Sequence, residues 1–132
     1  MSGFLLDTHA LIWFATGNLQ RMPQATADLI ADASNDVFVS AATIWEISTK
    51  SRLGKLQGLE DIAVRPNHYL AELSMVALPI ALEHAGKAGA FDVDHRDPFD
   101  RMLAAQSLIE ELSLISVDQA IDAFGVQRVW PT

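Results

Sequence analysis

Residues 5–14 read LLDTHALIWF, and this stretch decides how the rest of the chain is interpreted. The run GFLLD, residues 3–7, is typical of a buried strand, and THALIWFATG, residues 8–17, is typical of a helix that ends at Gly17. Asp7 stands at the junction between them. It is therefore either the N-cap of a helix or one part of a chemical site at the end of a strand.

Outward from this stretch, short apolar runs alternate with longer helical segments. The predicted strands cover residues 3–7, 36–40, 75–80, 113–118 and 126–130. The predicted helices cover residues 8–17, 23–35, 41–54, 58–74, 81–90, 98–112 and 119–125. Pro66 breaks the fourth of these helices or delays its start. The alternation predicts an α/β fold in which a mainly parallel sheet carries helices on both faces.

The length and composition predict one domain over residues 1–132. The chain has 132 residues, of which 50% are hydrophobic, and this is enough for a core. It has no cysteine, which excludes disulfide and thiolate metal sites and fits a reducing cytoplasm. The apolar N-terminus has no basic region and is interrupted by Asp7. We therefore expect neither a signal peptide nor a membrane span.

The formal net charge of −8 argues against a protein that coats nucleic acid nonspecifically. A local basic patch is still present in the sequence, since Lys50, Arg52 and Lys55 lie close together.

Acidic residues follow several of the predicted strands. Asp7 comes after GFLL at the end of the first strand, Glu46 lies six positions into the helix after the second, and Asp118 ends the fourth. The helix over residues 98–112 begins at DPFD, which supplies Asp97 and Asp100. Because the carboxyl ends of parallel strands share one edge of a sheet, these acids are expected to meet there.

Each acid also has an ordinary structural interpretation. Asp7, Asp97 and Asp118 each precede a predicted helix and suit an N-cap, and Asp100 suits the first turn of a helix. The segment Thr43-Ile44-Trp45-Glu46 fits a capping box, in which Glu46 would bond only to backbone. Taken one at a time, the structural interpretation is favoured for every one of them.

Taken together, the acids favour a metal site. Glu46 lies between Trp45 and Ile47, and an unpaired buried carboxylate is costly. Several carboxylates held together repel one another unless a cation lies between them, and Mg²⁺ or Mn²⁺ suits such oxygen ligands. The four histidines show no zinc spacing. Packing or solvation explains His9 and His95 better than a role beside the acids. An acidic Mg²⁺ site on a small α/β domain points to phosphate chemistry.

Five motifs then stand in a recognisable order: LLDTHALIW at 5–13, SAATIWEISTKSRLGKL at 40–56, LPI at 78–80, HRDPFDRMLAAQ at 95–106 and VQRVW at 126–130. Through them the chain resembles a PIN-domain ribonuclease of the VapC type, the toxin of a bacterial toxin–antitoxin pair. The resemblance covers residues 4–130, and the second and fourth motifs are its most specific parts.

The resemblance implies a three-layer α/β/α fold and Mg²⁺- or Mn²⁺-dependent endoribonuclease activity. It also implies a homodimer, and a cognate VapB-like antitoxin that binds the toxin in a hetero-oligomer. By motif position the four family acids fall on the following residues: Asp7, Glu46, Asp100 and Asp118. Asp97 matches an acid that this branch adds, as an N-cap first and a metal ligand second. Thr8 and Ser116 match hydroxyl positions beside the metal.

Three other classes of protein compete with this interpretation. A receiver-like signalling module needs a lysine near the last strand, and no lysine follows Lys87. A haloacid-dehalogenase-like phosphatase needs a second aspartate two residues after the first, where this chain has His9. A catalytically inactive PIN-like binding module is disfavoured because all four acid positions are filled.

The acids indicate which side chains the implied antitoxin would present to this chain. A segment of it that reaches an anionic site is expected to present arginine or lysine to the carboxylates. The rest of that segment is expected to be an apolar helix in a groove. Trp13, Phe14, Trp45 and Leu53 are candidate lining residues, although ordinary core packing explains them at least as well.

Overall fold

A computed structural model describes residues 3–132 of the chain. Its strands are β1 (Gly3–Leu6), β2 (Asp36–Ser40), β3 (Val76–Leu78), β4 (Ser113–Ile115) and β5 (Arg128–Val129). Its α-helices are α1 (Thr8–Thr16), α2 (Gln24–Ala31), α3 (Ala41–Arg52), α4 (Glu60–Val64), α5 (Pro66–Glu72), α6 (Leu82–Ala90) and α7 (Pro98–Glu110). A 3-10 helix covers Gln119–Phe124.

The five strands form one parallel sheet in the order β3-β2-β1-β4-β5. Strands β2 and β3 follow β1 along the chain and lie on one side of it. Strands β4 and β5 come later and lie on its other side. The order therefore reverses between β1 and β4, which are hydrogen-bonded neighbours. In sheets of this kind, a crevice opens at the reversal point, beyond the carboxyl ends of the strands.

Alternation along the strands divides the core into two parts, one on each face of the sheet. Leu5 and Leu114 pack on one side with Leu103 of α7 and Phe124 of the 3-10 helix. The residue after Leu5 in β1 and the residue after Leu114 in β4 face the other side of the sheet. There helices α1 to α5 contribute most of the packing. The predicted three-layer α/β/α fold and mainly parallel sheet are confirmed.

Several predicted element bounds were too generous. The helix predicted over residues 58–74 is two helices that meet at Arg65, because the residue before a proline avoids helical conformation. The strand predicted over 113–118 ends at Ile115, which leaves Ser116 and Asp118 in the turn beyond it. Within residues 3–132, no helix combines the length and apolar character needed to cross a membrane.

Candidate active site at the carboxyl edge of the sheet

Asp7 lies at the centre of this edge, directly after the middle strand β1. Its backbone N–H donates to the carbonyl of Ile115, 3.1 Å away, at the end of β4. Its Oδ1 accepts from the N–H of Ala10 at 2.8 Å and caps α1, so the predicted N-cap role is confirmed. The side chain is buried, and the neighbouring Ser116 side chain lowers its pKa.

Burial raises the pKa of Asp7 above its ordinary value. The hydrogen bonds from Ser116 and Ala10 and the nearby His9 act in the opposite direction, and the negative charge of Glu46 adds to the increase. The net direction is upward because removal of water from a carboxylate destabilises its charged form more than these contacts stabilise it. Asp7 is therefore a carboxylate held under electrostatic strain.

Glu46 lies on the second turn of α3 and faces Asp7 from a neighbouring element. It is buried, and its Oε1 accepts from the Thr8 hydroxyl at 2.5 Å. Its Oε2 lies 2.7 Å from Nζ of Lys50, one helical turn further along. A buried carboxylate with these two partners is compensated by a hydroxyl and an ammonium, as the cost of burying charge requires.

The capping-box interpretation of Glu46 is wrong. The N-cap of α3 is Ser40, whose Oγ accepts from the N–H of Ala42 at 3.0 Å. Thr43 is buried within the helix, where its own side chain lies 3.4 Å from the Thr8 hydroxyl. Glu46 therefore projects into the site and does not close the end of a helix.

Asp100 lies in the first turn of α7 and is partly buried. Its Oδ2 lies 2.9 Å from Nε2 of His95. Burial is the largest cause that raises the pKa of Asp100, and the negative charges of Asp97 and Asp7 raise it further. The hydrogen bond and charge of His95 oppose this increase. Asp7 is thus electrostatically coupled to both Glu46 and Asp100, each from a different segment of the chain.

Asp97 and Asp118 are exposed and serve as N-caps. Oδ1 of Asp97 accepts from the N–H groups of Phe99 at 2.9 Å and Asp100 at 3.3 Å. Oδ1 of Asp118 accepts from the N–H of Ala120 at 3.0 Å, at the start of the 3-10 helix. The N–H of Asp118 donates to Ser116, which links it to the surroundings of Asp7.

The capping role of Asp97 has a measurable consequence. We expect Asp97→Ala to lower the free energy of unfolding by about 0.5–2 kcal/mol, because the first N–H groups of α7 lose their acceptor. Asp97→Ser is expected to restore most of that loss, since a serine hydroxyl accepts the same bonds. Urea unfolding of the three proteins measures both changes. A serine variant as unstable as the alanine variant would contradict the capping role.

The sequence did not identify two partners of the acids, nor the residue that supports one of those partners. Lys50 pairs with Glu46, a contact that the spacing of four residues between opposite charges on a helix would have indicated. His95 contacts Asp100, although packing or solvation was the favoured explanation for it. Arg101 supports the loop that carries His95 through bonds to backbone carbonyls, and no sequence pattern reveals such bonds.

The donor set fits a hard divalent cation. Its atoms are carboxylate oxygens, the ligands that Mg²⁺ and Mn²⁺ prefer. Burial, with a smaller contribution from neighbouring acids, raises the pKa values of Asp7 and Asp100, and a bound cation would favour their charged forms. Across residues 3–132, however, no three Asp, Glu or His side chains are arranged as joint ligands of one ion. Glu46 and Asp100 each point to a partner of their own, so the metal centre stays a prediction.

The candidate groove residues do not line one shared cavity. Trp45 and Leu53 are 62% and 52% exposed, whereas Trp13 and Phe14 are half-buried against the core beside α1. Phe14 lines a cavity near Asp36, and Trp45 lines a different one beside Phe99.

Comparison with solved structures gives several chains of the same fold. VapBC2 from Rickettsia felis, bound to a DNA fragment from its promoter, is 12% identical, with a TM-score of 0.68 over 98% of this chain and 99% of that one. FitAB bound to an IR36 DNA fragment is 21% identical, with a TM-score of 0.65 over 96% of this chain and 93% of that one. FitAcB from Neisseria gonorrhoeae is 18% identical, with a TM-score of 0.58 over 95% of each chain.

A comparison with curated proteins found no match. The family model for the PIN domain, by contrast, matches residues 4–126. That match includes β1 from its second residue onward, β2 to β4, all five acids and the hydroxyl residues beside them. The chain belongs to the PIN domain family.

Proposed function

We propose that this chain is a metal-dependent endoribonuclease and the toxin of a VapC-type toxin–antitoxin pair. One observation carries the proposal: Asp7, Glu46 and Asp100 come from three separate segments, and Asp7 lies within electrostatic reach of the other two carboxylates at the carboxyl edge of the sheet. PIN domains are nucleases, so membership of the family supports hydrolysis of a nucleic acid.

Asp7, Glu46 and Asp100 are the residues that would hold Mg²⁺ or Mn²⁺, with Asp118 beside them and Asp97 as a less central ligand. When bound, the ion supplies an activated water and stabilises the leaving oxygen of a displacement at phosphorus. The protein's contribution is to fix the carboxylates. The Thr8 hydroxyl holds Glu46.

Two further contacts fix the other carboxylates. His95 lies 2.9 Å from Asp100, and the neighbouring Ser116 side chain lowers the pKa of Asp7. Such contacts to the ligands orient them and are part of how a protein tunes a metal site.

The substrate is proposed to be RNA, and the charge distribution suggests how an acidic protein holds it. Lys50 is partly exposed, and Arg52 and Lys55 are exposed at the end of α3 and in the turn after it. These three cations follow Glu46 along the chain, and we propose that they form a positive rim for the RNA. RNA is read mainly in single-stranded loops, so we expect an unpaired segment to occupy the site.

The proposed partners follow from the family and from the fold. VapBC2 and FitAB are the complexes whose chains this fold matches, and we extend their two-component organisation to this chain as a cognate VapB-like antitoxin. We also propose that the chain forms a homodimer within a toxin–antitoxin hetero-oligomer.

A second candidate function is a PIN-like module that binds nucleic acid or protein without cutting. The ion pair between Glu46 and Lys50 favours it, since the ammonium already neutralises one of the three carboxylates. The two functions differ in whether the protein cleaves the nucleic acid when Mg²⁺ or Mn²⁺ is supplied.

The test is cleavage of an end-labelled RNA pool rich in hairpin loops. We expect the purified protein to cut in Mg²⁺ or Mn²⁺ and to stop cutting when EDTA is added. Asp61→Asn is the matched control, because Asp61 is 72% exposed on α4 and its ion pair with Arg65 spans 4.0 Å. That variant should cut like the wild type. Binding of the pool without cleavage in either ion would favour the second candidate.

A further inference from the structure

Residues 91–97 form an irregular loop between α6 and α7, and this loop carries His95 to the candidate site. Its own backbone contributes a bond from the N–H of His95 to the carbonyl of Val93 at 2.9 Å. A loop of this length without regular structure needs other contacts to hold one conformation.

The side chain of Arg101 supplies those contacts from the first turns of α7. Its guanidinium donates to backbone carbonyls on the end of α6 and along the loop: Ala88 at 2.9 Å, Gly89 at 3.4 Å, Phe91 at 2.7 Å, Val93 at 3.1 Å and His95 at 3.0 Å. One planar group therefore satisfies carbonyls spread over eight residues of chain. Guanidinium geometry permits this, because its five N–H donors point in fixed directions.

Aromatic packing completes the arrangement. The guanidinium carbon of Arg101 lies 5.9 Å from the ring centre of Phe91 and 6.0 Å from that of Phe124. The ring of His95 meets the same Phe124 edge-to-face at 5.2 Å. His95 is thus fixed at its backbone by Arg101 and at its ring by Phe124, with Nε2 directed at Asp100.

We propose that Arg101 is a positioning residue for the candidate site, and this inference rests on the proposed nuclease function. Arg101 fixes the loop, the loop fixes His95, and His95 fixes the Asp100 carboxylate. Arg101 is adjacent to Asp100 on α7. The same turn of helix therefore carries both the carboxylate and the guanidinium that positions His95, the partner of that carboxylate. Arg101 itself faces carbonyls and rings and does not contact the reacting atoms.

The test is Arg101→Lys, which keeps the positive charge and loses the planar fork. We expect kcat for RNA cleavage to fall about 100-fold, the size of effect that a small misplacement of a reacting group produces. KM should stay unchanged, because Arg101 does not face the substrate. Amide hydrogen exchange across residues 91–97 should become faster. Arg65→Lys, at an arginine that is 62% exposed, is the control and should change none of these.

A second pair of variants tests the route and does not depend on how well Arg101→Lys folds. His95→Phe keeps a ring against Phe124 and removes the N–H group that reaches Asp100, and should lower kcat as Arg101→Lys does. His95→Gln keeps a side-chain donor and should retain more activity than His95→Phe. If His95→Phe cuts like the wild type, the route through His95 is wrong.

The outcomes separate this inference from the proposed function. A wild-type protein that cuts no RNA overturns the nuclease proposal, and the role of Arg101 fails with it. A wild type that cuts, beside an equally active Arg101→Lys variant, overturns the role of Arg101 alone. Activity in Arg101→Lys but not in Arg101→Met would also overturn it, because charge and not the planar fork would then be what matters.

Discussion

Asp7→Asn is expected to lower the rate of RNA cleavage about 100-fold or more and to leave the chain folded. The reason for the loss is that the amide carries no charge to hold a cation, and loss of one preorganised electrostatic contact has effects of this size. The reason for the intact fold is that asparagine caps a helix as well as aspartate does. Its side-chain oxygen can still accept from Ala10.

The same variant is expected to be more stable than the wild type at neutral pH in the presence of EDTA. Burial and the charge of Glu46 raise the pKa of Asp7 above its ordinary 3.8. Between pH 3.8 and the raised pKa, the folded chain binds a proton at Asp7 that the unfolded chain has lost. The free energy of unfolding therefore falls as the pH rises through this range. Asparagine has no such penalty, so the advantage of the variant should shrink as the pH falls toward 3.8.

Thermal melting in EDTA between pH 7 and pH 4 measures this difference, with Asp61→Asn as the control. Added Mg²⁺ should raise the melting temperature of the wild type by linkage and that of Asp7→Asn much less. Full cleavage activity in Asp7→Asn would contradict the metal mechanism. A variant that is less stable than the wild type at pH 7 in EDTA would contradict the electrostatic strain at Asp7.

The sequence predicted the placement of Asp7 and Asp100 well, because topology alone determines it. An acid directly after a buried strand must lie at the carboxyl edge of a parallel sheet, and an acid in the first turn of the helix before β4 lies near the same edge. The sequence also predicted that Pro66 either breaks a helix or delays its start, and the structure shows the break, since proline acts on its immediate neighbour and needs no tertiary information.

What the sequence could not supply is the set of contacts between distant segments. Glu46 had a local explanation as part of a capping box, and only the fold shows that Ser40 is the cap and that Thr8, 38 residues away, donates to Glu46. The five carbonyls bound by Arg101 are backbone atoms, which leave no mark on residue identity. Local patterns thus predict where an acid lies and which neighbour on its own helix can pair with it, but not which group from a distant segment compensates it.

These compensating groups also shape what we expect of the antitoxin. Within residues 3–132, Glu46 has a lysine partner, whereas Asp7 and Asp100 have neither lysine nor arginine. Both of these carboxylates have raised pKa values, so a cation that reached them would relieve strain. We therefore predict that the antitoxin inserts an arginine between Asp7 and Asp100 and leaves the Glu46–Lys50 pair intact. Arginine is preferred to lysine because its planar fork pairs bidentately with a carboxylate.

The expected result is that replacing this antitoxin arginine with glutamine weakens the complex by about 2–5 kcal/mol, the usual cost of removing one partner of a buried charge pair. A double-mutant cycle with Asp100→Asn of the present chain locates the contact, because glutamine should cost little more once the carboxylate is gone. Calorimetric titration measures binding without needing active toxin. Asp61→Asn is again the control, since an exposed acid on α4 should not couple to the arginine. Inhibition that survives removal of every antitoxin cation near Asp7 and Asp100 would show that the antitoxin acts elsewhere, by blocking RNA access or by separating the proposed dimer.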